Sequence, residues 1–408
     1  MKKNILTLVA LALVLSVTSC TVDIREDNDT PTNNGGGNQQ TPGNVMDGSG
    51  TLTGEISKDL LIKKGNYTLI GIVKVGSGAT ITIEPGAIFT ATTNDVSGLV
   101  ILKGAKINAV GTADSPIVFT SDNKTPGDWG GITLYGDAPI KALNGAATAL
   151  SEDGNNQYYG GADANSNSGT MKFVRVEYGG RKIGDGTSET NSMTFYAVGA
   201  GTTLENLVAY KGTDDGFEFF GGTVSTKNLV SYGNYDDAFD WQDAWSGQNN
   251  SNWFAYQTGI GNFGMEIEAS SNADNIAPKV SNITLMRAAG TLPEASGSAE
   301  VSAIQFKKQG TGIFSNVYID GYKNTGGKNA YSVLIQDLAT ETSQLATGKI
   351  KVDPMFTTTN NDNQLKFGYG FTSTNPLTYT NATTVTKVSL VGGAWATVNG
   401  VDLLSPLK

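Results

Sequence analysis

Residues 202–222 read TTLENLVAYKGTDDGFEFFGG, and residues 224–244 read VSTKNLVSYGNYDDAFDWQDA. The two stretches superimpose at a spacing of 22 residues. Asn206 falls on Asn228, Leu207 on Leu229, Tyr210 on Tyr232, and Asp214-Asp215 on Asp236-Asp237. The same short strand recurs in TMKFVRVEYGG from Thr170, KVSNITLMRAAG from Lys279 and GIFSNVYIDGYKN from Gly312. Asn206, Asn228, Asn282 and Asn316 each precede alternating apolar residues, and Phe173 takes that position in the earliest copy. A unit of this length cannot bury an apolar face alone, so copies must stack. Short strands at such a period suit coils of a right-handed parallel β-helix, with the asparagine amides laddered along its axis. A β-sandwich also has short strands and frequent turns, but it predicts neither the in-register repeat nor the ladder.

The rest of the chain agrees with an all-β solenoid. There are 52 glycines in 408 residues, which implies many turns and few long helices. GIVKVGSGATITIEPGAIFTA, GLVILKGAKINAVGTADSPIVFTS and WGGITLYGDAPI read as Val/Ile/Leu-rich strands broken by Gly and Pro. GDWGG at 127–131 lacks the context of a phosphate loop and reads as a tight coil corner.

Charge and composition exclude several function classes. The formal net charge is −10, opposite to what nucleic acid requires. The chain contains no histidine, which excludes a Ser-His-Asp triad and every His-based zinc site. Cys20 is the only cysteine, so no intrachain disulfide forms.

Residues 1–19 read as a signal peptide, with Lys2 and Lys3 before an apolar stretch too short to span a bilayer. Val17-Thr18-Ser19-Cys20 resembles a bacterial lipobox, which implies lipidation of Cys20 and an outer-membrane anchor. Asp23, Glu26, Asp27 and Asp29 follow, and resemble the acidic export signal of Bacteroidota surface lipoproteins, so the body is expected to face the cell exterior. Residues 20–50 are expected to form a flexible polar stalk. The β-helix is expected over 51–345 and a C-terminal cap over 346–408.

TITIEPGAIFTA, KGAKINAVGTADSPIVFTS, GDWGGITLYGDAPI, VRVEYGG and the double repeat together resemble a family of β-helix lipoproteins from Bacteroidota, over roughly residues 65–320. That resemblance implies a fold and a location but no reaction. More distantly, the architecture resembles that of pectate lyases and polygalacturonases.

Strand alternation assigns the candidate site. Phe217 and Phe219 point in, so Glu218 points out. Stacking SMTFYAVG, FEFF, FDWQ, FGMEIEAS and SAIQFKKQ gives an outward column of Thr194, Glu218, Asp240, Glu266 and Gln305. Its neighbour reads Tyr196, Phe220, Gln242, Glu268 and Lys307. Three carboxylates in a column about 4.8 Å apart repel, and something must offset this. Ca²⁺ would, with Asp215, Glu218, Asp237, Asp240 and Glu266 as oxygen ligands. Glu218 and Asp240 could instead be the two carboxylates of a glycoside hydrolase. A Ca²⁺-dependent polysaccharide lyase with Lys307 as base is a further alternative, with Glu266 in the same column. The doublet TDDG resembles the polygalacturonase aspartates, but that family's Gly-His-Gly and Arg-x-Lys motifs have no counterpart here. The bland reading is a solvated acidic face whose aspartates form turns. Trp245 and Trp253 flank SGQNNSN, read as a loop, and with Tyr196 are candidate contacts for a sugar ring. The expected function is binding of an extracellular glycan; a lyase or hydrolase, and a structural or adhesive surface protein, are the alternatives.

Overall fold

The computed structural model describes residues 44–93, 96–183, 188–294, 301–325, 327, 329–362, 365–367 and 380–408. The expected signal peptide, Cys20 and most of the expected stalk lie outside the described residues. The described body is a parallel β-helix, as the repeat predicts. Each coil contributes to three parallel sheets. In one coil, Thr203–Tyr210 supplies two of them, because the strand bends at Asn206, which has φ 55°. The pairing with Thr226–Tyr232 skips Asn206 and Asn228 and resumes at Leu207 and Leu229. The chain then turns and enters the third sheet as Phe217–Phe220.

The asparagine ladder exists and sits at this bend. Asn228 donates its amide to Asn206 (2.8 Å), Asn252 to Asn228 (2.8 Å), Asn282 to Asn252 (3.0 Å) and Asn316 to Asn282 (3.1 Å). All five asparagines have positive φ, a conformation asparagine tolerates better than other residues with a Cβ. Asn252 is the member missed in sequence, because SGQNNSN read as a loop; Asn250–Gln257 is a strand. Phe173 keeps the bend, with φ 50°, but not the amide. Replacing Asn228 by alanine removes two amide contacts and leaves a left-handed residue unsupported. The expected loss is about 2–3 kcal/mol in urea unfolding, and Asn228→Gly should recover part of it.

The core is aromatic at the third sheet. Phe195, Phe217, Phe219, Phe239 and Trp241 all point inward and are fully buried. Rings stack from coil to coil, with Phe195–Phe219 at 5.0 Å and Phe217–Phe239 at 5.7 Å. Each such side chain contributes roughly 1.5–3 kcal/mol by leaving water.

The body extends beyond the expected boundaries. Its first strand is Val45–Ile56, so residues 45–50 belong to the solenoid rather than the stalk. Ile350–Val352, Met355–Thr357 and Leu365–Phe367 add further strands to all three sheets at the other end. The last segment touches that end only where Asn381 pairs with Met355, and then leaves it. It runs along the outside of the second sheet as a strap, from Lys387 above the Tyr318 ring to Trp395, whose N–H donates to Ala113 O at 3.0 Å. Val388 N–H donates to Thr284 Oγ1 (2.8 Å), and Arg175 donates to Ala394 O (2.6 Å). Trp395 packs among Val208, Val230 and Phe254.

One insertion decides what the third sheet can do. After Ile132–Tyr135 the chain leaves the coil and rejoins it at Gly169. It forms a short antiparallel pair, Ala149–Leu150 with Tyr158–Tyr159, and lies over the outer side of the third sheet. Tyr159 packs against Tyr196 (4.7 Å) and Phe220 (6.0 Å). Its hydroxyl donates to Asp243 at 2.5 Å, and Tyr135 donates to Asp153 at 2.5 Å.

Candidate metal centre

The register places the column as the alternation predicts. Thr194 pairs with Glu218, Glu218 with Asp240, Asp240 with Glu266, and Glu266 with Gln305. These side chains point away from the core, yet they are not exposed. Glu218 is 4% exposed and Asp240 8%; Asn191 and Gln242 close on Glu218, and Glu152 of the insertion lies near enough for its charge to act on it. A solvated acidic face is therefore excluded for Glu218 and Asp240, while Glu266 is partly buried.

The aspartate doublets have two jobs. Asp237 N–H donates to Asp215 Oδ1 (2.8 Å), and Phe263 N–H donates to Asp237 Oδ1 (2.6 Å). Each carboxylate thus caps the turn of the next coil. Asn191 opens the series, accepting from Asp215 N–H at 3.1 Å. Sequence reasoning missed Asn191. It stands two residues before Met193, as Asp215 stands before Phe217 and Asp237 before Phe239. Gly131 allows this turn to close: a Cβ there would lie 2.2 Å from Asn191 O, at φ 69°.

The acids converge. One oxygen from each of Asp215, Glu218 and Asp240 lies within 4.8 Å of the other two, and Asp237, Asp240 and Glu266 form a second such group. Asp214, Asp215 and Asp236 form a third. Oxygens on opposite sides of a Ca²⁺ ion stand about 4.8 Å apart. All five residues expected to hold Ca²⁺ therefore fall into two groups, and Asp240 belongs to both. Glu218 accepts from Asn191 Nδ2 and from Gln242 Nε2 (3.2 Å). Asp240 Oδ1 is fully buried and has no hydrogen-bond partner among the described residues.

Burial is the main electrostatic cost. It pushes the pKa values of Asp214, Asp215, Glu218, Asp237 and Asp240 well above the usual carboxylate range. Repulsion adds to it: from Asp214 and Asp237 on Asp215, from Glu152 and Asp240 on Glu218, and from Glu266 on Asp240. Glu152 is exposed on the insertion, but the protein crowded around it and the charges of Asp243 and Asp153 push its pKa up to about 7. Two carboxylate charges 4.8 Å apart repel by about 3–4 kcal/mol at an effective dielectric of about 20. Lys307 meets part of this, with Nζ 2.6 Å from Glu266 and 3.7 Å from Glu268. Lys308 takes Glu268 at 2.7 Å. Burial alone would lower the Lys307 pKa; Glu266 and Asp240 outweigh it and hold the ammonium charged. Lys307, and Arg287 through its attraction to Asp237, offset only part of the charge of the seven acids in these groups, which leaves negative charge for protons or a hard cation.

The expected sugar platform is not there. Trp245 is 1% exposed and Trp253 0%, and Tyr196 is closed in between Tyr135, Tyr159 and Phe220. Trp253 stacks on Phe239 at 4.6 Å and Trp245 on Phe219 at 4.6 Å, inside the coil. The strand beginning at Asn250 turns Trp253 inward, where a loop would have left it free.

The fold and this buried ladder define a parallel β-helix with an acid-lined third sheet. Residues 54–397 match the pectate-lyase-like β-helix domain, and the chain belongs to that family. No curated protein and no solved structure matches it significantly.

Proposed function

We propose that this chain is a surface-displayed lipoprotein of the outer membrane, anchored through Cys20, that binds an extracellular glycan without cleaving it, and that its acidic ladder holds Ca²⁺. The observation that carries the Ca²⁺ reading is the buried ladder itself: converging carboxylates, with Asp240 Oδ1 unpaired by any described residue among them. Glu218 and Asp240 are too deeply buried to meet a sugar ring, whereas a small ion needs only oxygens. Asp215, Glu218 and Asp240 would hold one ion, and Asp237, Asp240 and Glu266 the adjoining position. The ion would neutralise charge where burial forbids it. Membership of a pectate-lyase-like family supports a glycan as ligand.

The lyase or hydrolase alternative loses support on two counts. Glu218 and Asp240 lack access, and Lys307, pinned to Glu266 and held charged, is a poor base. Incubation with a panel of acidic and neutral glycans tests the choice. Retention of a glycan with no new reducing ends or unsaturated uronates is expected, and Glu218→Gln should leave that retention within about twofold. Product formation lost in Glu218→Gln or Asp240→Asn would establish the enzyme instead. Binding to a protein and to no glycan would favour an adhesive role.

A further inference from the structure

At the turns that lead from the second sheet towards the third, beside the chain that follows the strap, a groove has a cavity volume of about 410 Å³. This is within the range of small-ligand sites. Tyr178, Tyr210, Tyr235, Lys124, Lys211 and Asn399 are among the residues that line it. Asn399 follows the strap and donates to the Tyr178 hydroxyl at 3.3 Å. In a chain of net charge −10 the described lining contains two lysines and neither Asp nor Glu. Among the described residues neither lysine has a carboxylate within ion-pair distance; Lys211 Nζ rests 5.4 Å from the centre of the Tyr210 ring. Both lysines sit at positive φ, 56° and 53°, where glycine or asparagine would cost less. Aromatic rings, hydroxyls and an amide suit the C–H faces and hydroxyls of a sugar ring, and two unpaired ammonium groups call for negative charge.

We propose that this groove binds an anionic saccharide, with Lys124 and Lys211 meeting its carboxylate or sulfate and Tyr235 packing on the ring. The inference rests on the glycan reading above and gives it a location the buried tryptophans do not.

The test uses the purified chain with three sets of oligosaccharides of matched length: uronate-containing, sulfated and neutral. Uronate or sulfated members should bind in preference to neutral ones, more weakly at high salt, and the two anionic sets identify which group is recognised. The double variant Lys124→Ala/Lys211→Ala should bind about tenfold or more weakly, with an unchanged melting curve. Bound oligosaccharide should also protect Lys124 and Lys211 from acetylation. Equal binding by the double variant, or preference for neutral sugars, would overturn the groove while leaving the glycan reading standing. A wild-type chain that binds no member of any set would overturn the glycan reading, and the groove with it.

Discussion

Trp253→Ala is expected to destabilise the folded chain by about 3–5 kcal/mol, the loss typical of a large aromatic removed from a core. Trp253 is fully buried between coils. Its ring lies 4.6 Å from Phe239, 6.2 Å from Phe219 and 6.1 Å from Trp245. Its indole N–H donates to Thr226 Oγ1 at 2.9 Å. Alanine would leave a cavity that rigid stacked coils cannot close, and would leave the Thr226 hydroxyl without that donor. Urea unfolding should show a lower midpoint at similar slope, with Trp253→Phe losing less. Glycan retention by the folded fraction should be unchanged. Normal stability with weakened glycan retention would instead put the indole at a binding surface.

The second large effect couples pH to Ca²⁺. The ladder carboxylates have folded pKa values raised above their unfolded values, first by burial and then by one another. The folded state therefore holds protons that the unfolded chain releases. The stability they confer is fully present below the unfolded pKa of about 4, and is lost as pH rises through the folded values. Chelator-treated protein should melt at a higher temperature at pH 5 than at pH 8. Ca²⁺ should reverse that loss at pH 8 and do little at pH 5, where protons already occupy the oxygens. At a hundred times its dissociation constant the ion would add about 2.7 kcal/mol, or about 4 °C for a domain that spans residues 54–397. Asp240→Asn should raise the melting temperature of the chelator-treated protein at pH 8, because it removes the unpaired charge. It should also abolish the response to Ca²⁺. A chelator-treated protein that gains stability from pH 5 to pH 8 would contradict this electrostatic account.

The coils were legible in the sequence where no insertion separates them. Glu218 and Asp240 stand 22 residues apart on strands that alternate Phe or Trp with acid, so register followed directly from side-chain period. Later coils lengthen: successive ladder asparagines are 22, 24, 30 and 34 residues apart. There the repeat fades and Asn252 was passed over. What the sequence hid was coverage. Tyr159 meets Asp243 across 84 residues and Arg175 meets Ala394 across 219, and neither contact leaves a periodic trace. The same blindness turned an outward column into a supposedly solvated one, and an inward Trp253 into a supposed platform. The strap was read as an end cap because solenoids need capped ends; its apolar residues instead cover the flank of the second sheet.

Calorimetric titration of Ca²⁺ into the chelator-treated protein at pH 8 tests the central claim most directly. Saturable binding that disappears in Asp240→Asn is the predicted result; no heat and no melting shift in millimolar Ca²⁺ would contradict it.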